Sequence, residues 1–291
     1  MVKTFGQLYR DARHQLMTKE DAETASFYAR TLICHIAGKS REQFLSQQEL
    51  YVSEETCNRV QMAVTRLLND EPLAYVLGEW DFYGMTLKVN ENVLIPRDDT
   101  CSVTDLAIGE ANRRAWEKRV LDLCTGSGCI GLAIAKNVPE ARVTLADISR
   151  SALAVAKENV VLQKLTGRVV CVEADALSAP PVFLGKFDII ISNPPYITGE
   201  EMKALPKSVE AFEPHLALYG GEDGLIFYRS IAKNYRNALK NGGCLCLEFG
   251  EGQGDAVAEI LEENGFTVLE RRKDYNERER AIIARYQREE E

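Results

Sequence analysis

From residue 119 onward, short apolar runs alternate with segments of helical periodicity, and no other feature of the chain constrains its fold as strongly. This alternation is typical of a parallel sheet whose strands are joined by right-handed helical crossovers. We therefore predict an α/β fold built on a seven-stranded, doubly wound sheet. The candidate strands are Val120–Leu123, Val143–Ala146, Val169–Val172, Asp188–Ile191, Cys244–Phe249, Thr267–Leu269 and Ala281–Ala284.

The connection between the last two candidate strands sets the direction of the final one. It spans residues 271–279, a short stretch rich in Arg, Lys, Asp, Asn and Glu in which no crossover helix fits. Parallel neighbours need a connection of a dozen or more residues, whereas antiparallel neighbours can be joined by a short turn. The last strand is therefore predicted to be antiparallel.

Helix start and stop residues lie between the candidate strands. Ser149 is a predicted N-cap for a helix that contains Leu153, Ala156 and Val160. Asp223 is predicted to cap a second helix, and Asp255 to begin a third. The second helix is expected to contain Tyr228, Ile231 and Leu239 and to end at Gly242-Gly243.

The chain before this region has a different character and is predicted to form a separate helical domain over residues 1–78. Ser40 and Gln43 match a capping box, and Ser53 precedes Glu54 and Glu55 as a second N-cap. Residues 79–97 alternate apolar residues around Gly84 and predict a β-hairpin that links this domain to a catalytic domain over residues 98–291. Small helical appendages commonly recognise partners, so substrate recognition is the expected role of residues 1–78.

Net charge argues against a general nucleic-acid binder. The chain has 35 basic and 44 acidic residues, a formal net charge of −9, whereas such binders need a basic surface to neutralise phosphates. The eight cysteines form no Cys-x-x-Cys pair and several lie in apolar runs, which indicates buried thiols in a reducing compartment. The N-terminus has no continuous apolar run, so neither a signal peptide nor a membrane span is predicted, and a cytoplasmic location is expected.

Asn193-Pro194-Pro195-Tyr196 directly follows the candidate strand Asp188–Ile191 and Ser192. Open α/β sheets bind their ligands at this end of the strands. The prolines fix φ and remove two N–H donors, so the segment presents carbonyl oxygens beside the Asn193 amide and the Tyr196 ring. Such a rigid set of acceptors next to a flat ring suits a planar –NH2 group, either an amide or the exocyclic amine of a base.

Val120–Gly131 combines a strand, a glycine turn and the start of a helix, with Gly126, Gly128 and Gly131 in a G-x-G-x-x-G pattern. Asp147 ends the next strand, where a carboxylate can accept hydrogen bonds from ribose hydroxyls. A dinucleotide would fit this pattern. S-adenosylmethionine fits better, because Asp122 lies within the first strand just before the turn and because a dinucleotide leaves Asn193–Tyr196 without a role. Glu173-Ala174-Asp175 follows the third strand and adds a carboxylate at the same edge, near the expected adenine.

Together these residues resemble the protein-glutamine N5-methyltransferases that modify peptide chain release factors, the HemK family. The resemblance covers nearly the whole chain. Its motifs are Glu71–Gly84, Val93–Arg97, Asp122–Gly128, Asn193–Tyr196, Phe212–Pro214, Gly220–Leu225, Leu247–Gly250 and Gln253-Gly254. It implies a seven-stranded methyltransferase sheet and S-adenosylmethionine as the methyl donor. The implied substrate is the glutamine of a Gly-Gly-Gln loop, with a release factor as the protein partner and no direct contact with nucleic acid or membrane.

The resemblance also implies roles for individual residues. Asn193, Pro194 and Tyr196 are expected to be catalytic, and Pro195 joins them in binding the substrate. The Asn193 side-chain oxygen and the Pro194 carbonyl would accept the two amide hydrogens, while Tyr196 packs on the flat amide. The expected cofactor-binding residues are Asp122, Cys124, Thr125, Gly126, Ser127, Gly128, Asp147, Ile148, Asp175, Ala176 and Asn193. No metal site is expected.

The sequence departs from the family pattern at four places. Asp98–Cys101 stands where Pro-Glu-Thr-Glu is usual, Cys124 replaces a glycine, Ala176 replaces an aromatic residue of some members, and Asn276–Arg278 replaces a segment that often contains glycine. These departures concern the cofactor side and leave Asn193–Tyr196 intact. The alternatives are a glutamine methyltransferase of a ribosomal protein, an adenine-amine methyltransferase of nucleic acid, a non-catalytic cofactor-binding protein and a dehydrogenase.

Overall fold

A computed structural model describes residues 3–114 and 118–287, and their contacts divide them into two compact units. The first unit consists of the residues up to Gly78 together with Lys207–Phe212, and the second of Glu79–Pro206 and the residues from Glu213 onward. No helix of the described residues is long and apolar enough to cross a membrane.

The first unit is helical. Up to Gly78, its helices are α1 Phe5–Leu16, α2 Ala22–Ala37, α3 Arg41–Ser46, α4 Glu54–Leu68 and α5 Leu73–Leu77. The predicted capping box is present at Ser40, the Ser53 side chain accepts a hydrogen bond from the Thr56 amide, and α2 ends at Gly38 with φ of 61°. Because these caps satisfy backbone groups that a helix end leaves without partners, the local sequence fixes the end of α2 and the beginnings of α3 and α4.

The second unit begins with a hairpin and continues into a mixed seven-stranded sheet. The hairpin pairs β1 Glu79–Phe82 with β2 Met85–Lys88. The strands of the sheet are β3 Lys118–Leu123, β4 Ala141–Asp147, β5 Val169–Glu173, β6 Phe187–Ser192, β7 Leu239–Glu248, β8 Phe266–Lys273 and β9 Glu279–Tyr286. Their spatial order is β5-β4-β3-β6-β7-β9-β8.

Strand directions agree with the prediction. The first five strands of the sheet are parallel, and the last strand, β9, is antiparallel to both β7 and β8. Only five residues separate β8 from β9, too few for a crossover helix. The predicted seven-stranded α/β fold is thus confirmed.

Helices cover both faces of the sheet. The remaining helices are α6 Cys101–Asn112, α7 Cys129–Asn137, α8 Arg150–Leu162, α9 Gly199–Met202, α10 Lys207–Phe212, α11 Ile226–Ser230 and α12 Gly254–Glu263. Of these, α10 belongs to the first unit. Apolar residues of α6, α7 and α8 pack with Val120, Ile189 and Cys244, whereas those of α11 and α12 pack with Leu121 and Ile190. Because side chains alternate along a strand, each strand contributes to both layers of the core.

The helix predicted to contain Tyr228, Ile231 and Leu239 and to end at Gly242-Gly243 was wrong in its second half. The structure has α11, a π-helical turn at Ile231–Tyr235 and a 3₁₀ turn at Arg236–Ala238, after which β7 begins at Leu239. Leu239 pairs with Phe187 in extended conformation, and Gly242 and Gly243 lie inside β7 at a register shift. The apolar spacing of Tyr228, Ile231 and Leu239 matched a helix, but pairing with β6 determines the conformation of Leu239. The N-cap is Leu225, whose amide donates to Asp223.

Asn159 joins the hairpin to the sheet. It lies on α8 and is fully buried. Its Oδ1 accepts from the Lys88 amide at 2.7 Å, and its Nδ2 donates to the carbonyls of Lys88 at 3.0 Å and Ser127 at 2.9 Å. One amide side chain therefore satisfies three backbone groups on β2 and on the loop before α7.

Replacing Asn159 by Ala is expected to lower the free energy of unfolding by about 2–4 kcal/mol, because it leaves buried backbone groups without partners. Urea unfolding of the purified protein measures the change. Asn137→Ala is a suitable control, since Asn137 makes a single hydrogen bond to its own helix at an exposed position. Equal stability of the two variants would contradict this role for Asn159.

Candidate active site

A cleft opens at the carboxyl ends of the central strands. All of its walls belong to the second unit. Its lining residues come from the loops after β2, β3, β4, β5 and β6, and from the segment before α11. They are Asn92–Leu94, Pro96, Arg97, Thr100, Cys124–Ser127, Cys129, Ile130, Asp147–Ser149, Ala152, Ala174–Ala176, Asn193, Pro195, Pro214, Leu216, Ala217 and Phe227. The cleft therefore lies at the sheet edge where open α/β sheets bind their ligands.

Most of the residues predicted to bind the cofactor or substrate line this cleft. They are Cys124, Thr125, Gly126, Ser127, Asp147, Ile148, Asp175, Ala176, Asn193 and Pro195. Four others lie outside its lining, namely Asp122, Gly128, Pro194 and Tyr196. Of these, Asp122 is fully buried beneath the glycine loop, and Pro194 and Tyr196 lie next to lining residues of the β6 loop.

The glycine loop is shaped by two different requirements. Gly126 and Gly128 have φ of 55° and 84°, where a side chain would be strained. Gly131 has no such φ, but a Cβ there would come 2.2 Å from Leu145 Cδ2. Two glycines therefore turn the loop and the third lets α7 pack closely on β4. Cys124 also has positive φ, at 60°, and it occupies a position where the resembled family usually has glycine.

Asp122 forms hydrogen bonds with residues of the glycine loop and of α7. Its Oδ2 accepts a hydrogen bond from the Gly131 amide at 2.9 Å and another from the Thr125 hydroxyl. Its Oδ1 is buried without a hydrogen-bond partner. Burial raises the pKa of Asp122 to about 7, although these two hydrogen bonds favour the charged form. Asp122 thus affects the cleft through the conformation of the loop.

Asp147 presents a carboxylate directly at the cleft. Its Oδ2 accepts from the Gly126 amide at 2.9 Å and its Oδ1 from the Ser149 amide at 2.9 Å. These bonds fix the orientation of the carboxylate between the glycine loop and the start of α8. Burial raises the pKa of Asp147, and both amides partly oppose that shift. A carboxylate oxygen has several lone pairs, so Asp147 can still accept hydrogen bonds from a ligand.

The loop after β5 supplies a third wall. Asp175 accepts from the Leu177 amide at 2.8 Å and from the Ser178 hydroxyl at 2.7 Å, which closes the loop on itself. The Ala176 carbonyl accepts from Ser230 at 2.7 Å. Ile148, from the loop after β4, is 47% exposed and adds apolar surface that a flat ring could cover.

The residues of the cleft fit S-adenosylmethionine by their chemistry. Asp147 and Asp175 can accept from hydroxyl and amino groups, and Ile148 and Ala176 offer an apolar surface for an adenine ring. The Ser127 hydroxyl lines the same cleft, is almost fully buried, and has no hydrogen-bond partner. A buried hydroxyl without a partner is costly, so a polar ligand group beside it would satisfy it.

The loop Asn193–Tyr196 begins where β6 meets β3. The Ser192 hydroxyl donates to the Leu123 carbonyl at 2.6 Å, which ties the ends of the two strands together. Asn193 Nδ2 donates to Thr100 Oγ1 at 3.3 Å. Pro194 and Pro195 are buried, and Tyr196 is partly buried. Burial raises the pKa of the Tyr196 phenol, so it remains a neutral ring.

The segment around residue 220 fixes the far end of this loop. The Ile197 amide donates to the Leu218 carbonyl at 2.9 Å, and the Gly220 amide donates to the Ile197 carbonyl at 2.9 Å. Gln253 Nε2 donates to the Tyr196 carbonyl at 3.1 Å. A Cβ on Gly220 would lie 2.6 Å from the Tyr196 Cα, so only glycine allows this approach.

Sequence reasoning did not assign site roles to several residues of the cleft. Arg97 lines the cleft and forms an ion pair with Glu213, which is buried and accepts from the Ile95 amide at 3.4 Å. This contact joins the segment after β2 to the wall that contains Pro214. Both residues lie in motifs noted in the sequence, Val93–Arg97 and Phe212–Pro214. Because Arg97 and Glu213 are 116 residues apart, the sequence did not indicate that they pair.

Comparison with known proteins identifies related chains. The Methyltransferase small domain family matches residues 104–254, and the PrmC N-terminal domain family matches residues 7–78. The release factor glutamine methyltransferase of Clostridium acetobutylicum is 36% identical over 253 residues, covering 87% of this chain and 88% of that protein. The release factor glutamine methyltransferase of Streptococcus pneumoniae is 39% identical over 257 residues, covering 88% of this chain and 88% of that protein.

A solved methyltransferase from Pyrococcus furiosus shares the fold. It aligns with a TM-score of 0.51 and 16% identity, covering 77% of this chain and 97% of that one. At 16% sequence identity, this alignment gives information on the fold alone.

Gly220→Ala is expected to lower the free energy of unfolding by about 1–3 kcal/mol, because the added methyl group must displace the Tyr196 backbone. Gly109→Ala on α6 is the matched control, since a Cβ there meets nothing within 4 Å and alanine favours helix. Urea unfolding compares them. A Gly220 variant as stable as the Gly109 variant would contradict the tight contact.

Asp122→Asn is expected to change how stability depends on pH. Folded Asp122 keeps its proton up to about pH 7, whereas an unfolded aspartate loses it near pH 4, so ionisation of this group destabilises the folded state as pH rises through that range. Asparagine can keep an acceptor oxygen at the position of Oδ2 and cannot ionise. The free energy of unfolding of the variant, relative to the unsubstituted protein, should therefore increase from about pH 4 to about pH 7 and stay constant above that range. A pH-independent difference in urea unfolding would refute this.

Proposed function

The chain belongs to the release factor glutamine methyltransferase family, and we propose that it methylates the side-chain amide nitrogen of the glutamine in the Gly-Gly-Gln motif of peptide chain release factors. Relatives 36% and 39% identical over most of both chains support this substrate. The observation that carries the proposal is the position of Asn193. It follows β6, lines the cleft, and lies across the strand ends from the glycine loop.

S-adenosylmethionine is the methyl donor, and it supplies a methyl group activated by a positively charged sulfur. Asp147 is proposed to hold its ribose hydroxyls, and Asp175, Ala176 and Ile148 to surround its adenine. The glycine loop from Cys124 to Gly128, supported by Asp122, is proposed to bind the amino-acid portion. The acidic side chains at the cleft suit a ligand that carries an ammonium group and a sulfonium.

The glutamine side chain that receives the methyl group is a poor nucleophile. An amide nitrogen is weakly nucleophilic because its lone pair is delocalised into the carbonyl group, so positioning and local electrostatics must supply much of the rate. We assign the Asn193 side-chain oxygen and the Pro194 carbonyl as acceptors of the two amide hydrogens. Together they would direct the nitrogen and stabilise the positive charge that develops on it.

The hydrogen bonding of Asn193 supports this assignment. Its Nδ2 is used by Thr100, so its Oδ1 remains as the acceptor. The prolines bring no N–H groups that would compete for that acceptor. Tyr196 is proposed to pack on the flat amide. No side-chain base is required, because the methylated amide is strongly acidic until it loses a proton.

The partner is proposed to be a protein. A net charge of −9 fits poorly with binding of a nucleic-acid backbone. Residues 1–78, which include the match to the PrmC N-terminal domain family, are proposed to recognise the release factor. We place the protein in the cytoplasm, in keeping with its eight free thiols.

Asn193→Ala is expected to abolish methyl transfer, with a fall of about a hundredfold or more, and to leave the dissociation constant of S-adenosylmethionine within about threefold. Asn264→Ala is a control, since the Asn264 side chain donates to the Ile260 carbonyl of its own helix and lies outside the cleft lining. Transfer of radiolabel from the cofactor measures the rate. Turnover by Asn193→Ala equal to that of the control would refute the role.

Asp147→Ala, in contrast to Asn193→Ala, is expected to weaken binding of the cofactor. Loss of a charged acceptor should weaken S-adenosylmethionine binding by about tenfold to a hundredfold, measured by titration calorimetry. Circular dichroism checks that the variant is folded. Unchanged affinity would contradict the proposed contact with the cofactor.

A substrate panel tests the function as a whole. Purified enzyme and labelled S-adenosylmethionine are offered a release factor, the same factor with Gly-Gly-Ala in place of Gly-Gly-Gln, a ribosomal protein and DNA, each separately. Label on the first protein alone is the expected result. Label on the ribosomal protein or on DNA, with none on the release factor, would overturn the proposal.

A further inference from the structure

Phe227 is a residue of the cleft that the proposed function does not use. It lies on α11, it is partly buried, and it lines the cleft. Among the described residues that line the cleft, only Phe227 has an aromatic side chain. Because an aromatic ring has a flat apolar face, it suits contact with a planar group of a ligand.

Two hydrogen bonds join α11 and the turn after it to the loop that follows β5. The Ser230 hydroxyl donates to the Ala176 carbonyl at 2.7 Å. The Tyr235 phenol, which is on the π-helical turn Ile231–Tyr235, donates to the Asp175 carbonyl at 3.0 Å. Both acceptors belong to residues that line the cleft. This part of the chain is therefore fixed against one wall of the cleft.

Helical spacing places Phe227 on the side of α11 that meets this wall. Phe227 precedes Ser230 by three residues, and residues three apart in a helix lie on the same face. Phe227 also packs against the layer of the core that contains Ala174 and Ala176. It therefore lies beside the loop after β5, at the end of the cleft that is proposed to bind adenine.

The backbone before Phe227 is fixed as well. The Ile226 amide donates to the Gly220 carbonyl at 3.2 Å, and the Leu225 amide donates to the Asp223 side chain at 3.1 Å. Phe227 thus lies between a backbone contact on one side and the Ser230 contact on the other. A side chain on a segment that is ordered before the ligand arrives loses little freedom on binding, which favours affinity.

We propose that Phe227 forms the aromatic wall of the adenine subsite and that its ring contacts the flat face of the base. This inference rests on the proposed function, because that function places the adenine beside Asp175, Ala176 and Ile148. Every base has a π-face on which an aromatic side chain can stack. Ile148, which is 47% exposed, adds aliphatic surface to the same subsite. S-adenosylhomocysteine carries the same base as the methyl donor, so its binding measures the contact without turnover.

Phe227→Leu removes the ring and keeps an apolar side chain, whereas Phe227→Tyr keeps the ring. We expect the dissociation constant of S-adenosylhomocysteine to rise about fivefold to twentyfold in Phe227→Leu and to stay within about threefold in Phe227→Tyr. Titration calorimetry measures both. Phe183→Leu is the matched control, because Phe183 is 73% exposed and lies outside the cleft lining, and it should bind the ligand normally.

A fragment of the cofactor shows which part of the ligand Phe227 contacts. 5′-Methylthioadenosine has the same base and ribose but lacks the amino-acid portion. In Phe227→Leu its dissociation constant should rise by the same factor as that of S-adenosylhomocysteine. A loss confined to S-adenosylhomocysteine would place Phe227 at the amino-acid portion and overturn the inference. Normal binding of both ligands, with a raised KM for the release factor, would place it at the protein substrate and also overturn the inference.

A fluorescence measurement reports on the contact itself. Phe227→Trp places an indole at this position, and stacking with adenine should quench its emission when S-adenosylhomocysteine binds. The chain has two other tryptophans, so the signal is the difference from the unsubstituted protein. Phe183→Trp should show no such difference. If Phe227→Leu does not fold, this variant decides, and unquenched emission with the ligand bound would refute the contact.

The outcomes separate this inference from the proposed function. If Phe227→Leu binds S-adenosylhomocysteine as tightly as Phe183→Leu does, while the unsubstituted enzyme methylates the release factor, the inference alone is overturned. If the unsubstituted enzyme does not methylate the release factor but Phe227→Leu binds both adenine-containing ligands more weakly, the proposed function is overturned and the contact with the base stands.

Discussion

Parallel pairing of β3 with β6 is the constraint on which the site depends. The register sets Leu123 opposite Ser192, and the Ser192 hydroxyl closes the pair by donating to the Leu123 carbonyl at 2.6 Å. The glycine loop leaves β3 one residue later, and Asn193 leaves β6 at the same level. Because parallel strands end at one edge, two segments about 70 residues apart in sequence become the two sides of one cleft. The residues proposed to accept hydrogen bonds from a cofactor and those proposed to accept them from an amide thereby lie side by side.

Local signals in the sequence were sufficient for much of this architecture. Alternating apolar runs predicted the sheet, the short connection between the last two strands predicted the antiparallel final strand, and Ser40, Ser53 and Ser149 predicted helix starts that the structure contains. Prediction was wrong at Leu239, where a helical spacing continued into β7. There the partner strand decided the conformation, and a partner strand is not visible in a window of adjacent residues.

Long-range polar contacts were the part that sequence reasoning could not reach. Asn159 lies among the apolar positions of α8, and Glu248 ends an apolar strand. Each is conspicuous as a polar residue in a buried pattern. The partners of Asn159 lie far away in the chain, on β2 and in the loop before α7. Likewise, the pairing of Arg97 with Glu213 joins two motifs that were seen separately. The residue type was visible in each case, and the contact was not.

Asn193 is proposed to hold a protein carboxamide against the activated methyl group. A crystal structure with S-adenosylhomocysteine and a Gly-Gly-Gln peptide would show whether this contact forms. We expect the glutamine nitrogen within hydrogen-bond distance of Asn193 Oδ1, on the line along which a methyl group would leave the sulfur, so that nitrogen and methyl carbon could approach to about 3–3.5 Å. A glutamine bound elsewhere, or a sulfur that faces away from Asn193, would contradict it.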